Sequence, residues 1–247
     1  MYLNSKLFSI VCFLVFMTAL FLKLSWPQLI ATFLLLIVGG AVAEIYLTYK
    51  RLNEVAAILN EQADPELFLK ELEKDEKIAK EKNMSDFYLL NRSAGLFYLG
   101  RCKEALEGLK TVDRNKLHKS HQCLYLIQMF ANLLGDGQVR QAREFIEENK
   151  GWLAAFPKKP EMIGEAWKNN CAWLDYCEGE LVKSRAVFEG SLQKDIPRIM
   201  RAMNYYALGL IDLQESKRAE ARANFTKALE IGGKTFIKDK IAQIDLS

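Results

Sequence analysis

His118 and His121 are the only histidines in this 247-residue chain, and Cys123 follows them closely. On a helix the two imidazoles fall on one face, so with the thiol they could offer zinc three ligands. No further ligand cluster lies nearby, and Leu117-His118-Lys119-Ser120-His121-Gln122 reads as an exposed helix start. A metal-dependent enzyme built on these residues is therefore only an alternative, and no metal ligand is assigned. Of the other cysteines, Cys12 falls in an apolar run, while Cys102, Cys171 and Cys177 form no C-x-x-C pair. Cys171 and Cys177, six apart, share no helix face. In a body of this size such thiols read as reduced and buried in a cytosolic domain. The carboxylates of Glu71–Lys82 alternate with lysines, which describes a solvated helix face with i,i+4 pairing. Gly135-Asp136-Gly137 reads as a turn, and neither a nucleophile elbow nor a phosphate-cradling loop appears. The expectation is a protein without catalytic residues, cofactor or small-molecule substrate.

Any other role must come from the elements that carry these side chains. Leu7–Leu22 is apolar apart from Ser9 and Thr18, and Leu29–Ala43 apart from Thr32. A bilayer core of about 30 Å takes about 20 helical residues, and flanking Tyr2, Lys23, Trp26, Tyr46 and Tyr49 extend both runs into the interface. With Pro27 at the start of the second helix, the pair reads as a transmembrane hairpin over residues 1–48, with residues 7–47 facing lipid. Lys6, Lys50 and Arg51 flank its outer ends against Lys23 at the turn, which puts both termini and the body in the cytoplasm. Met1–Leu22 lacks a good signal-peptide cleavage site. Ala41-Val42-Ala43 resembles one, and cleavage there would release the body outside the cell.

The net charge is +3, with 34 basic and 31 acidic residues, and outside the hairpin the two signs nearly balance. That gives no electrostatic case for nucleic acid. The body, residues 49–247, has a helical apolar pattern throughout and no alternating β-branched runs, so the fold class is all-α. Asp64-Pro65 signals a helix start, with the helix continuing to about Asn83. Short turns at Leu99-Gly100-Arg101, Gly135-Asp136-Gly137 and Glu178-Gly179-Glu180 divide the rest into helix pairs.

Asn204–Gly233 carries Tyr205, Leu208 and Gly209, then Ala221, Phe225 and Ala228. This pattern resembles a tetratricopeptide repeat, departing from it at Asp212 (normally aromatic) and Gly233 (normally proline). Ala166–Asp195 resembles the repeat through Ala172, Ser184, Phe188 and Ser191; Phe87–Val112 through Ser93, Gly100 and Ala105; and Leu124–Asn149 through Gly137, Ala142 and Ile146. The resemblance covers about four repeats within residues 85–233. Tyr49–Asn60 with Asp64–Asn83 would form an atypical leading pair, and residues 235–245 a capping helix with Phe236, Ile237, Ile241 and Ile244 on one face.

The resemblance implies an α-solenoid in which first helices line a concave groove that binds a peptide or helix of a partner protein. Carried over, the groove-facing positions are Leu90 and Ala94; Ile127 and Ala131; Asn169, Trp173 and Tyr176; and Tyr206, Leu210 and Gln214. The family's lysine-and-asparagine clamp for C-terminal carboxylates is not evident. The expected function is a membrane-anchored scaffold or adaptor for a protein or peptide partner, including one that is itself membrane-associated. The alternative is an extracytoplasmic chaperone-like holder of exported proteins.

Overall fold

The computed structural model describes residues 13–15, 17–18, 25–79, 85–154 and 161–245. All regular structure among them is helical. They fall into two compact units, divided between Ala56 and Ala57.

The first unit is dominated by helix α1, Trp26–Asn60, whose last four residues belong to the second unit. Its start is built by Ser25 and Gln28: the Ser25 backbone N–H and hydroxyl both donate to Gln28 Oε1, at 2.9 and 3.0 Å. This is the returning half of a capping box, and Pro27 costs nothing in the first turn, where its missing N–H has no helical partner. An 18-residue stretch of α1 has a mean hydropathy of 2.2 and none of it is buried. Trp26, Leu35 and Ile45 are 70 % exposed or more. At 35 residues α1 is about 50 Å long, so it is long and apolar enough to cross a bilayer with turns to spare. Tyr49–Asn60 is thus the end of α1 and not a separate helix; no proline follows Pro27 within it, and the helix runs on through Gly39 and Gly40. Of the first apolar run, Phe13–Val15, Met17 and Thr18 are helical; the rest, with Lys23 and Leu24, lies outside the described residues.

The second unit begins with α2, Pro65–Ala79. Asp64 Oδ1 accepts the Leu67 N–H at 3.0 Å, the cap its position before proline predicts. Residues 80–84, where this helix was expected to end, lie outside the described residues. Helix pairs follow: α3, Ser85–Tyr98, with α4, Cys102–Lys110; α5, Lys119–Gly135, with α6, Val139–Ala154; α7, Glu161–Cys177, with α8, Leu181–Leu192; and α9, Arg198–Gln214, with α10, Arg218–Ile231. A short helix α11, Ile237–Ala242, ends the described chain. Asp113 and a 3-10 turn, Arg114–Lys116, bridge α4 and α5.

The pairs are joined by the same turn. Gly100, Gly137 and Gly179 hold φ at 72°, 74° and 87°, and Ser216 takes 61° at the equivalent place. Each closes its helix with two backbone bonds: Gly100 N–H to Phe97 O and Arg101 N–H to Leu96 O, repeated at Gly137/Gln138, Gly179/Glu180 and Ser216/Lys217. This left-handed cap satisfies the last helical carbonyls and reverses the chain.

Within the unit the first helices α3, α5, α7 and α9 pack on one another in that order. The second helices α4, α6 and α8 each also touch the first helix of the next pair. Burial follows as a series of small cores. Leu90, Leu109, Val112 and Leu117 fill one; Leu106, Phe130, Leu133, Ala142 and Leu174 the next. Ala172, Phe188, Ala207, Leu208 and Ile211 fill a third, and Phe225, Ala228, Ile237 and Ile241 anchor the last. Ala172, Ser184, Phe188, Ser191, Ala221, Phe225 and Ala228 are all within 2 % of full burial, as their expected packing positions require. Gly209 shows why size matters there: a methyl group on it would sit 2.5 Å from the Phe225 ring.

The last pair is tied back to the first. Lys234 N–H donates to Ala63 O and Phe236 N–H to Tyr98 O, both at 2.9 Å. Lys234 Nζ meets Asp64 Oδ2 at 2.7 Å, and Arg198 reaches Glu61 O and the end of α10. The capping segment therefore packs on α10 and also on the end of α3.

Candidate functional site

The inward ends of α3, α5, α7 and α9 meet around two adjoining hollows. The larger, of about 230 Å³, is lined by Phe97, Ala131, Asn170, Trp173, Met203 and Tyr206, and also by Leu210, Phe236 and Lys240. The smaller, of about 90 Å³, shares Phe97, Ala131, Asn170, Trp173 and Met203 and adds Gln128, Asn169 and Asn204. Placing these side chains is a matter of helix register. The cap at Gly100 stops α3 so that Phe97 and Tyr98 project from its last turn, and the closing segment brings Phe236 against them.

The aromatic rings form a continuous series. Phe97 stands 6.2 Å from Phe236, Phe236 6.1 Å from Tyr206, Tyr206 6.1 Å from Trp173, and Trp173 5.7 Å from Tyr176. These separations suit edge-to-face and tilted aromatic contacts. Burial pushes the Tyr206 phenol up to about 12, with the Tyr176 phenol adding to the effect, and burial pushes Tyr98 to about 12 as well. Both are neutral hydroxyls at physiological pH. Tyr176 is also raised by burial, opposed by its hydrogen bond with Gln214.

The six groove-facing residues expected from the sequence divide three ways. Trp173, Tyr206 and Leu210 line the larger hollow; Tyr176 and Gln214 stand outside it, joined to each other, with Gln214 exposed. Asn169 borders the smaller hollow but is 95 % buried, and its amide N–H donates to Asn204 Oδ1 at 3.1 Å and contacts Ser191 Oγ. It is a bridge between α7 and α9, with Asn169 Oδ1 and Asn204 Nδ2 left buried and unpartnered. Of the earlier positions, Ile127 and Ala131 line the hollows, whereas Leu90 is fully buried in the core of the first pair. Phe97, Met203, Asn170 and Phe236 escaped the sequence reading as site residues. Only the position of Phe97 just before a glycine turn, and of Phe236 just after Gly232-Gly233, pointed to them.

Charged side chains mark the seams between pairs. Arg185 on α8 donates to Asp212 on α9 at 2.7 Å and to Glu215 at 2.8 Å, and Asn224 on α10 donates to the second Asp212 oxygen. Asp212 thus replaces the aromatic of the resembled repeat with a buried polar junction. Arg143 pairs with Glu178, and Lys183 with Asp175. Burial alone would raise Glu165, but hydrogen bonds from Lys194 and Lys168 outweigh it and hold the carboxyl below its usual range.

The residues with metal or nucleophile chemistry stand apart from the hollows or are inert. His118 caps α5 through its Nδ1, and His121 lies 5.3 Å from the Phe87 ring with its pKa lowered by burial and by His118. Cys123 is fully buried. Among the described residues no three His, Cys, Asp or Glu side chains gather closely enough to hold a metal ion. Cys102 is pushed up to about 11 by burial, Asp136 adding and Lys240 opposing; Cys171 is likewise raised to about 11 by burial and Asp175. Both thiols stay protonated at neutral pH, unlike reactive cysteines. The site can bury an apolar group and offer hydrogen bonds to a polar group attached to it. No family model, curated protein or solved structure matches this chain.

Proposed function

We propose that this chain is a membrane-anchored scaffold whose tetratricopeptide-like body docks a protein partner at the mouth of the larger hollow. The two N-terminal apolar runs form a hairpin of two spans, and the basic residues at its outer ends keep the body in the cytoplasm. The pairs act as a solenoid-like stack. The observation that carries the reading is the recurrence of one left-handed turn at positions 100, 137, 179 and 216, with the first helices of successive pairs in a row. A spacing of roughly forty residues between like turns is that of stacked helix-pair repeats. Trp173, Tyr176, Leu210 and Gln214 form the docking surface, supported from beneath by Tyr206 and the Asn169–Asn204 bridge. Large aromatic side chains in such a setting supply contact area with few rotamers to freeze. The tether raises the local concentration of any membrane-bound partner, so modest affinity suffices.

Two measurements on the full chain in its native membrane test this. A photoreactive residue at Trp173 or Tyr176 should capture one recurring protein, while the same group at Val182, an 82 % exposed site on α8, should not. Capture from Val182 alone would refute the docking surface. Protease added outside intact cells should leave the body uncut; cleavage would overturn the cytoplasmic orientation.

A further inference from the structure

The larger hollow has a polarity that docking of a protein surface does not require. Its wall is apolar over Phe97, Trp173, Met203 and Leu210, and no aspartate or glutamate lines it. Among its hydrogen-bond donors are a phenol and an ammonium. Tyr206 is 93 % buried, and its hydroxyl has no hydrogen-bond partner among the described residues. Lys240 reaches the rim as an exposed ammonium with no ion-pair partner among them. Both line the same hollow, and Phe236 links them. Its ring is 6.1 Å from that of Tyr206, and its carbonyl accepts the Lys240 N–H at 3.1 Å, placing Lys240 one turn further along the chain. Asn170 gives one of its amide N–H groups to Ile127 O at 3.2 Å.

We propose that this hollow binds a free medium-chain carboxylic acid, its carboxylate on the Tyr206 hydroxyl and Lys240 ammonium and its chain against Trp173 and Leu210. The Tyr206 hydroxyl is open to the hollow, so it is free to donate to an acceptor from the ligand. A cation would meet Lys240, and no carboxylate lines the wall to hold it. An alcohol would fill the space but leave the ammonium unused. An apolar cavity of about 150 Å³ takes benzene, so about 230 Å³ suits a chain of roughly nine carbons. The raised Tyr206 phenol remains a donor at neutral pH. This binding does not rest on partner docking, although an acid in the hollow would support Trp173 from below.

The test is equilibrium dialysis of octanoate against the full chain in lipid nanodiscs, with empty nanodiscs as the blank. One saturable site per chain is expected. Tyr206→Phe or Lys240→Gln should weaken it by about fivefold or more, the loss of one charge-assisted or buried hydrogen bond. Lys240 is exposed, so its variant keeps the test sound if the tyrosine variant fails to fold. Octanol and octylammonium should not displace octanoate. The proposal is overturned by no binding above the blank, by unchanged affinity in Lys240→Gln, or by displacement by octanol at the same concentration. Displacement at a hundredfold lower concentration by a hexapeptide ending in leucine would assign the hollow to a protein terminus and overturn the free acid.

Discussion

Single residues set how closely the helices of this body approach. Gly209 on α9 lies under the Phe225 ring of α10, and a methyl group there would sit 2.5 Å from ring carbon. Phe225 is 1 % exposed and packed among Tyr206, Ala221 and Ala228, so it has no room to swing away. Gly209→Ala should therefore destabilise the body by about 1–3 kcal/mol despite alanine's better helix propensity, read as a lower thermal midpoint by circular dichroism. Glu165 offers a different test. It is 6 % exposed and hydrogen-bonded to Lys168 at 3.1 Å and to Lys194. Its folded pKa is lowered below the ordinary 4.5, so its contribution is fully present above that value and is lost as pH falls through the folded pKa. Glu165→Gln should lower the urea midpoint at pH 7, and the gap to the parent should shrink as the pH drops below 4.5. A gap of equal size at pH 3 would mean the carboxylate's charge does not stabilise the fold.

Elements show where sequence and structure agree and where they part. The all-helical composition, the Asp64 cap and the glycine turns were legible, because each depends on a few neighbouring residues and a left-handed φ that glycine adopts freely. The fourth turn was hidden, since Ser216 occupies the left-handed position that glycine fills at the other three. A non-glycine residue there carries a cost of about 1–2 kcal/mol. Ser216→Gly should recover about 0.5–1 kcal/mol after the larger entropy loss of glycine, a rise in midpoint that the same change at Ser191, mid-core and at 2 % exposure, would not give. The full length of α1 does not show in the sequence pattern: the residues turn from apolar to charged near Tyr49, but nothing in the backbone stops the helix there. The aromatic series of the site was half legible. Trp173 and Tyr206 follow from repeat register within one helix, whereas Phe97 and Phe236 meet across about 140 residues of sequence, a separation no local pattern encodes.

At the scale of the whole body the question is whether the pairs behave as an open row. In an open stack each repeat feels only its neighbours, so damage at one end stays there. Here residues 232–236 bind the far end of the row. Gly233, at φ 56°, presses so closely on Ala63 that any side chain at this position would collide with the Ala63 carbonyl. Lys234 and Phe236 then add their bonds to Ala63, Asp64 and Tyr98. Gly233→Ala should force this segment off its seat. If closure couples the ends, hydrogen exchange will quicken in α2 and α3 as well as in α10 and α11, while α5 to α7 change least. The loss should exceed the roughly 1–2 kcal/mol that a left-handed alanine costs, because the Lys234 and Phe236 backbone bonds go with it. Exchange that quickens only in α10 and α11 would show that the body is an open row and that the contacts of residues 234 and 236 carry little energy. The larger hollow gives a second readout of the same change: Phe236 is part of its wall, so loosening the closure should also shift the fluorescence of Trp173.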